Sequence, residues 1–326
     1  MAAEDHLGGE PAPAAARSRG RISARSTDRL WRWFFCGPVL VGASIFFGLP
    51  VFLAVILSLF QWPTSGGERF IGLRNFGELL APSDSQTWIA IRNTVSFGAS
   101  NVILVIAVGL LLATWINTRP RGWRVIRVIF FIPVLTPLVA DSLVWSAIYN
   151  PGTGLLAGIW GALGGSTNIN VTASAATALA SVVVMSVWHN VGYNVLLFSA
   201  ALEAVPTSVL DAAKVDGADG LRKFLRMTLP MISPTVFFAG VLSVIGSLQV
   251  FARVFILTDG GPGLSSTTLG LEIYNTAFTS GELGSASALA IILVVILLAV
   301  TGALFRLQRR YVYYEVDPEA FRVRGF

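Results

Sequence analysis

Apolar side chains dominate six stretches of the chain, at about 33–59, 94–116, 125–148, 173–200, 232–257 and 285–306. Each is long enough for a helix of roughly 20 residues, the length that crosses a hydrocarbon layer. None alternates apolar and polar residues as a barrel strand does, and lipid offers no partner to an unpaired backbone amide. Six membrane-spanning helices are therefore expected. Pro38, Pro50, Pro133, Pro137 and Pro234 fall in or beside these stretches and predict kinks or span ends. The run from Trp33 is longer than a cleavable signal core and lacks a small-residue cleavage site, so it is expected to be retained as a first span. Residues 1–28 carry almost no large apolar side chains and are expected to be disordered. The expected division is a basic tail at 1–30, a membrane domain at 31–310 and a short C-terminal tail at 311–326.

Connecting segments differ sharply in positive charge. The N-terminal tail carries Arg17, Arg19, Arg21, Arg25, Arg29 and Arg32, the 117–127 connection Arg119, Arg121, Arg124 and Arg127, and the 201–230 connection Lys214, Arg222, Lys223 and Arg226. Between them, 149–172 and 258–284 have no Lys or Arg, and 60–92 has three Arg offset by Glu68, Glu78 and Asp84. By the positive-inside rule both termini and the 201–230 segment are expected to be cytoplasmic, which requires an even number of spans. Pattern and charge agree on a multi-pass all-α membrane protein.

Composition narrows the classes. The 326 residues are 54% hydrophobic and 13% charged, with a mean hydropathy of +0.70, which points to a lipid environment. A net charge of +5 follows the topology and is not gathered on one soluble face, so nucleic acid is not an expected partner. The single cysteine, Cys36, cannot form an intramolecular disulfide. Histidines number two, His6 in the tail and His189, so no metal shell is expected, and no nucleophile, base and orienting acid suggest an enzyme.

The 202–230 segment is far more elaborate than a bundle connector needs to be. Pro206 with Thr207 or Ser208 predicts a helix start, Asp211 follows Ser208 at capping-box spacing, and Asp216-Gly217 predicts a stop with positive φ. A second short helix is expected over about 221–228, before Pro230 and Pro234 turn the chain into the membrane. Ala212 and Ala213 give the first helix a small flat face, flanked by Asp211, Lys214 and Asp216, that suits a groove on another protein. An ordinary solvated loop would share this composition.

Asp211-Ala212-Ala213, Gly217 with Ala218 beside it, and Leu229-Pro230 resemble the signature loop of permease subunits from binding-protein-dependent ABC importers, with Asp211 in place of the usual Glu. Further pieces resemble the carbohydrate-uptake branch: Phe70-Ile-Gly-Leu-Arg-Asn-Phe76, Phe131-Ile-Pro133, Gly154-Leu155, Ala200-Ala-Leu-Glu-Ala-Val-Pro206 and Leu257-Thr-Asp-Gly-Gly-Pro262. The ordered set spans roughly residues 33–310. The resemblance implies a type I importer fold of six transmembrane helices with a cytoplasmic helix-turn-helix coupling loop at 201–230. It also implies a second permease subunit, ATP-binding cassette subunits and an extracytoplasmic solute-binding protein. No Gly-x-x-x-x-Gly-Lys-Ser/Thr loop occurs in the chain, so ATP and magnesium are expected on the ATPase partner and no cofactor here.

Polar residues inside apolar spans face partner helices or a cavity. Asp141 and Trp145 in the third window, His189, Asn190, Tyr193 and Asn194 in the fourth with Trp188 nearby, and Gln249 and Arg253 in the fifth are the candidates for a substrate pathway. Amides beside aromatic rings suit the hydroxyl rim and apolar face of a sugar. Interhelical hydrogen bonding, worth about 0.6–2 kcal/mol each, is the competing role. Arg253 is expected either to pair with Asp141 or to face an anionic group of the substrate. A gradient-driven carrier or channel is the alternative function, although no internal repeat of the kind such carriers use is visible between the halves of the chain. Relatives with similar motifs handle disaccharides, oligosaccharides, amino sugars and glycerol phosphates, so the motifs leave the solute unnamed.

Overall fold

Two helix-incompatible prolines decide the most distinctive feature of the architecture. In the computed structural model, which describes residues 21–64, 66–215 and 217–311, the third apolar stretch is broken into α5 (Trp123–Phe131), a tight turn at Ile132–Leu135, and α6 (Leu138–Ile148), bent by 103° at the break. Thr136 is extended (φ −81°, ψ 141°), as a residue before proline prefers, and Pro137 follows it out of the helical region (ψ 135°). The kink or span end expected at Pro133 and Pro137 takes the form of this break.

The chain divides into units Met1–Leu53 and Ala54–Phe326. In the first, α1 (Arg21–Ala43) leads through a π-helical turn at Ser44–Gly48 to α2 (Leu49–Leu57), which runs on past the unit boundary. The π turn comes just before Pro50, whose ring would collide with the carbonyl four residues back in a regular helix. Helix begins at Arg21, inside the segment expected to be a disordered tail. Ala, Arg and Leu between 21 and 31 let a helix nucleated in the apolar span propagate backwards.

In the second unit a two-stranded hairpin, β1 (Phe60–Gln61) with β2 (Arg69–Phe70), precedes α3 (Arg74–Leu79) and α4 (Ser85–Asn117). Asp84 caps α4, its carboxylate accepting from the amides of Gln86 at 3.1 Å and Thr87 at 3.2 Å. After α6 come α7 (Leu155–Ala162), α8 (Ala178–Glu203) and α9 (Thr207–Val215). The chain continues through α10 (Gly220–Lys223), a π turn at Phe224–Thr228 and α11 (Leu229–Leu248) as one helical rod, Gly220–Leu248. The separate short helix expected at 221–228 is therefore absorbed into the rod, and Pro230 and Pro234 do not redirect it. Pro230 sits in the first turn of α11. Pro234 leaves the Pro230 carbonyl without an amide donor, and the Ser233 hydroxyl donates to it at 2.7 Å. The rod ends at Leu248, short of the expected 257, and a bend leads to α12 (Ala252–Leu257). Then follow α13 (Leu269–Tyr274), a π turn at Asn275–Thr279 and α14 (Leu283–Tyr311).

Among the described residues five helices are long and apolar enough to cross a membrane, and the bent pair makes six. Within the second unit α4 packs along α8, and α11 lies against both. Gly192 lets α8 approach the end of α5 closely: a Cβ there would fall 1.9 Å from the Phe130 carbonyl oxygen.

Candidate functional site

Helix α9 is amphipathic, and burial sorts its residues onto two faces. Leu210 packs in a cluster with Phe198, Leu202 and Val205 from the end of α8 and with Phe224, Leu229 and Ile232 from the rod. Ala213 is fully buried, whereas Asp211 and Ala212 are exposed and Val215 is 88% exposed. The flat face expected from Ala212 and Ala213 together is thus divided. Successive helical residues differ by about 100°, so Ala213 turns inward against this chain while Ala212 stays outward.

Gly217 adopts φ +73°, and the Ala218 amide donates to the Ala213 carbonyl at 2.9 Å, the long closing bond of a glycine-terminated helix. Nothing lies within 4 Å of a Cβ built on Gly217, so backbone conformation alone demands glycine there. Asp216 and the Lys214 side chain lie outside the described residues. Leu229 belongs to the cluster under α9, and Pro230 lies one residue further along the rod.

Beside this seat, Arg127 Nη2 pairs with Glu203 Oε1 at 2.6 Å, and the Arg127 guanidinium lies 4.9 Å from the Trp123 ring centroid. Glu203 and Arg127 were not singled out from sequence, because nothing in the spacing brings the 117–127 connection to the end of α8. The pair is partly exposed and contributes at most about 1 kcal/mol.

Further into the second unit α4, α8, α11 and α12 enclose a cavity of about 210 Å³. Four of the expected pathway residues, Asn190, Tyr193, Asn194 and Arg253, line it, together with Asn101, Ser243 and Ser247 and the apolar Phe97, Val134, Ala239 and Leu242. Gln249 lines an adjoining space of about 290 Å³ that shares Gly246 and Arg253 with the first. Asn190 and Asn194 each donate to the carbonyl four residues back, at 2.9 and 3.1 Å, and Asn101 donates to Ser247 Oγ at 2.8 Å. The amide oxygens of Asn101 and Asn194 are buried without a donor, while the accessible Asn190, Tyr193 and Ser243 give the wall its polar groups. Asn101 sits in the middle of an apolar window, and that position was the signal that could have found it.

Asp141, His189 and Trp145 do not line the cavity. The Asp141 carboxylate is buried, accepting from the Thr136 hydroxyl and meeting His189 Nδ1. It ties both sides of the bend, Thr136 before it and Asp141 after it, to α8. Trp145 stacks edge-on against Trp188 at 5.6 Å and lies 5.1 Å from Tyr149, in an apolar cluster that includes Phe97 and Met185. For these three residues the structure shows packing between helices. Arg253 forms no ion pair with Asp141, whose oxygens are already engaged, and its Nε is buried without a hydrogen-bond partner. Among the described residues no three His, Cys, Asp or Glu side chains assemble as a metal shell would require.

Six potential spans, a polar cavity walled by α4, α8, α11 and α12, and a surface helix seated on two of those helices define a multi-pass membrane transport subunit. Residues 105–313 match the family described as binding-protein-dependent transport system inner membrane component, and the chain belongs to that family. It is an ABC importer permease rather than a gradient-driven carrier. The trehalose/maltose transport system permease protein MalF of Thermococcus litoralis is 34% identical over 265 residues, 81% of this chain and 88% of that one. The sn-glycerol-3-phosphate transport system permease protein UgpA of Brucella abortus is 31% identical over 289 residues, 88% of this chain and 97% of that one. A chain from the crystal structure of a bacterial alginate ABC transporter, in complex with an alginate pentasaccharide-bound periplasmic protein, superposes with a TM-score of 0.79. It shares 20% identity, with 91% of this chain and all of that one covered, and so supports the fold.

Proposed function

We propose that this chain translocates a sugar or related small polar solute through the α4–α8–α11–α12 cavity, driven by a separate ATPase that grips α9. One observation carries the proposal: the helices that seat α9 are the helices that wall the cavity. Leu202 and Val205 under α9 lie on or just past α8, eight or more residues along from the cavity-lining Asn194. At 1.5 Å per residue that is about 12 Å of rigid helix. Ile232 and Leu229 bear the same relation to Ser243 and Ser247 on the rod. A push on α9 therefore reaches the cavity wall without passing through a flexible connection.

In this reading Asp211, Ala212, Gly217 and Val215 face the ATPase, with Ala218 in the closing turn and Ala213, Leu229 and Pro230 on the inward side. The relatives named above suggest a sugar or a polyol phosphate as cargo. Membership of a binding-protein-dependent family supports a solute-binding protein on the opposite side and a second permease subunit as partners. The arginine-rich segments at 117–127 and 201–230 support a cytoplasmic location for α9 and for both termini.

A single cysteine at Ala212, with Cys36 replaced by Ser, tests the arrangement in inside-out and right-side-out vesicles containing the whole transporter. The residue is expected to be labelled by an impermeant maleimide in inside-out vesicles alone and to crosslink to a nucleotide-hydrolysing subunit. Labelling from the outer side, or crosslinks that never reach that subunit, would refute it.

A further inference from the structure

The cavity wall is electrically one-sided. Arg253 is the one charged group among its lining residues, and the remainder are amides, hydroxyls and apolar groups. A guanidinium at membrane depth is tolerated when a counter-charge, a polar partner or water receives it. The buried Asp141 carboxylate acts on Arg253 at a distance but makes no direct pair with it: one oxygen accepts from Thr136 and the other meets His189. Among the described residues Arg253 appears in no ion pair, and its buried Nε has no hydrogen-bond partner. Two cavities, of about 210 and 290 Å³, meet at this side chain.

From this guanidinium, which lines the cavity without a direct ion pair, we propose that the solute carried by this chain is acidic: a hydroxylated molecule bearing a carboxylate or phosphate, received by Arg253. The inference rests on the cavity being the solute pathway. A planar guanidinium presents a fork of donors that matches carboxylate and phosphate oxygens two at a time, which a neutral sugar cannot exploit. Asn190, Tyr193 and Ser243 line the same cavity without being buried and supply polar groups for the hydroxyls of such a solute.

The full importer, with both permease subunits, ATPase and binding protein, is reconstituted in vesicles of phosphatidylcholine and given glucuronate, glycerol phosphate, glucose or maltose. ATP-dependent uptake of one of the two acidic probes is expected to exceed that of both neutral ones by at least about tenfold. R253Q is expected to lower acidic uptake by a similar factor. Arg253→Lys, which keeps the charge and loses the fork, is expected to fall between them. Neutral probes carried as well as acidic ones, or undiminished acidic uptake in R253Q, would overturn the proposal. So would an effect of R253Q that appears with anionic lipid and is indifferent to solute charge, since the guanidinium would then be serving a headgroup. Should R253Q fail to assemble, the wild-type probe ratio and the Lys variant decide the matter. Absence of ATP-driven uptake of all four probes would count against the pathway reading itself, and the acidic assignment would fall with it.

Discussion

Gly217 shows how a single backbone angle closes α9, the helix proposed to meet the ATPase. Its φ of +73° lies where an L-residue is held about 1–2 kcal/mol above its preferred regions, and more for a β-branched side chain. The surrounding space is open, so Gly217→Val introduces no clash and its cost is confined to the end of α9. The variant is expected to insert and assemble normally but to hydrolyse ATP with several-fold less solute moved per ATP. A wild-type ratio of uptake to hydrolysis in reconstituted vesicles would refute the role given to this turn. Of this site, glycine and its positive φ were legible in the sequence, because Asp-Gly after a helical run has few other readings. The inward turn of Ala213 was not, since which face of a short helix is covered depends on the helices beneath it.

At the scale of elements the broken third span is the instructive case. Its prolines are visible in the sequence, and lipid requires a helix on either side of them, but a bend of 103° is set by what receives the two halves. Here Asp141 on one side and Thr136 on the other converge with His189 of α8. Sequence alone makes Asp141 and His189 candidates for a substrate pathway because a polar group inside a span has either role, and helix rotation, which separates the roles, is fixed by packing. Asp141→Ala leaves the His189 ring without its acceptor, a loss of about 1–3 kcal/mol for a polar group so stranded, while the Thr136 hydroxyl keeps the Pro133 carbonyl. Thermal unfolding of the detergent-purified complex is expected to move down by several degrees. The apparent solute affinity of whatever protein survives is expected to stay within about twofold, because Asp141 does not line the cavity. A large affinity loss with unchanged thermal stability would return Asp141 to the pathway.

Taken whole, the proposed mechanism depends on transmission between a surface seat and a buried cavity through α8 and the Gly220–Leu248 rod. The six-span plan was legible because hydrophobic length is dictated by the bilayer. The continuity of the rod was not, because Pro230 and Pro234 look like breaks until one sees a π turn placed before the first and a serine hydroxyl answering the carbonyl freed by the second. That continuity separates two kinds of damage. Leu210 is half-buried in the seat and Val215 is exposed on the opposite face, so truncating each tests a different joint. Leu210→Ala removes packing beneath α9 at a cost of about 2 kcal/mol, near the lower end for a core leucine because the site is only partly covered. The ATPase is expected to remain bound while uptake per ATP drops several-fold. Val215→Ala touches nothing inside this chain and is expected to weaken ATPase retention during purification without changing the ratio in complexes that remain intact. Identical behaviour of the two variants would mean that α9 does not act as a lever seated on two helices.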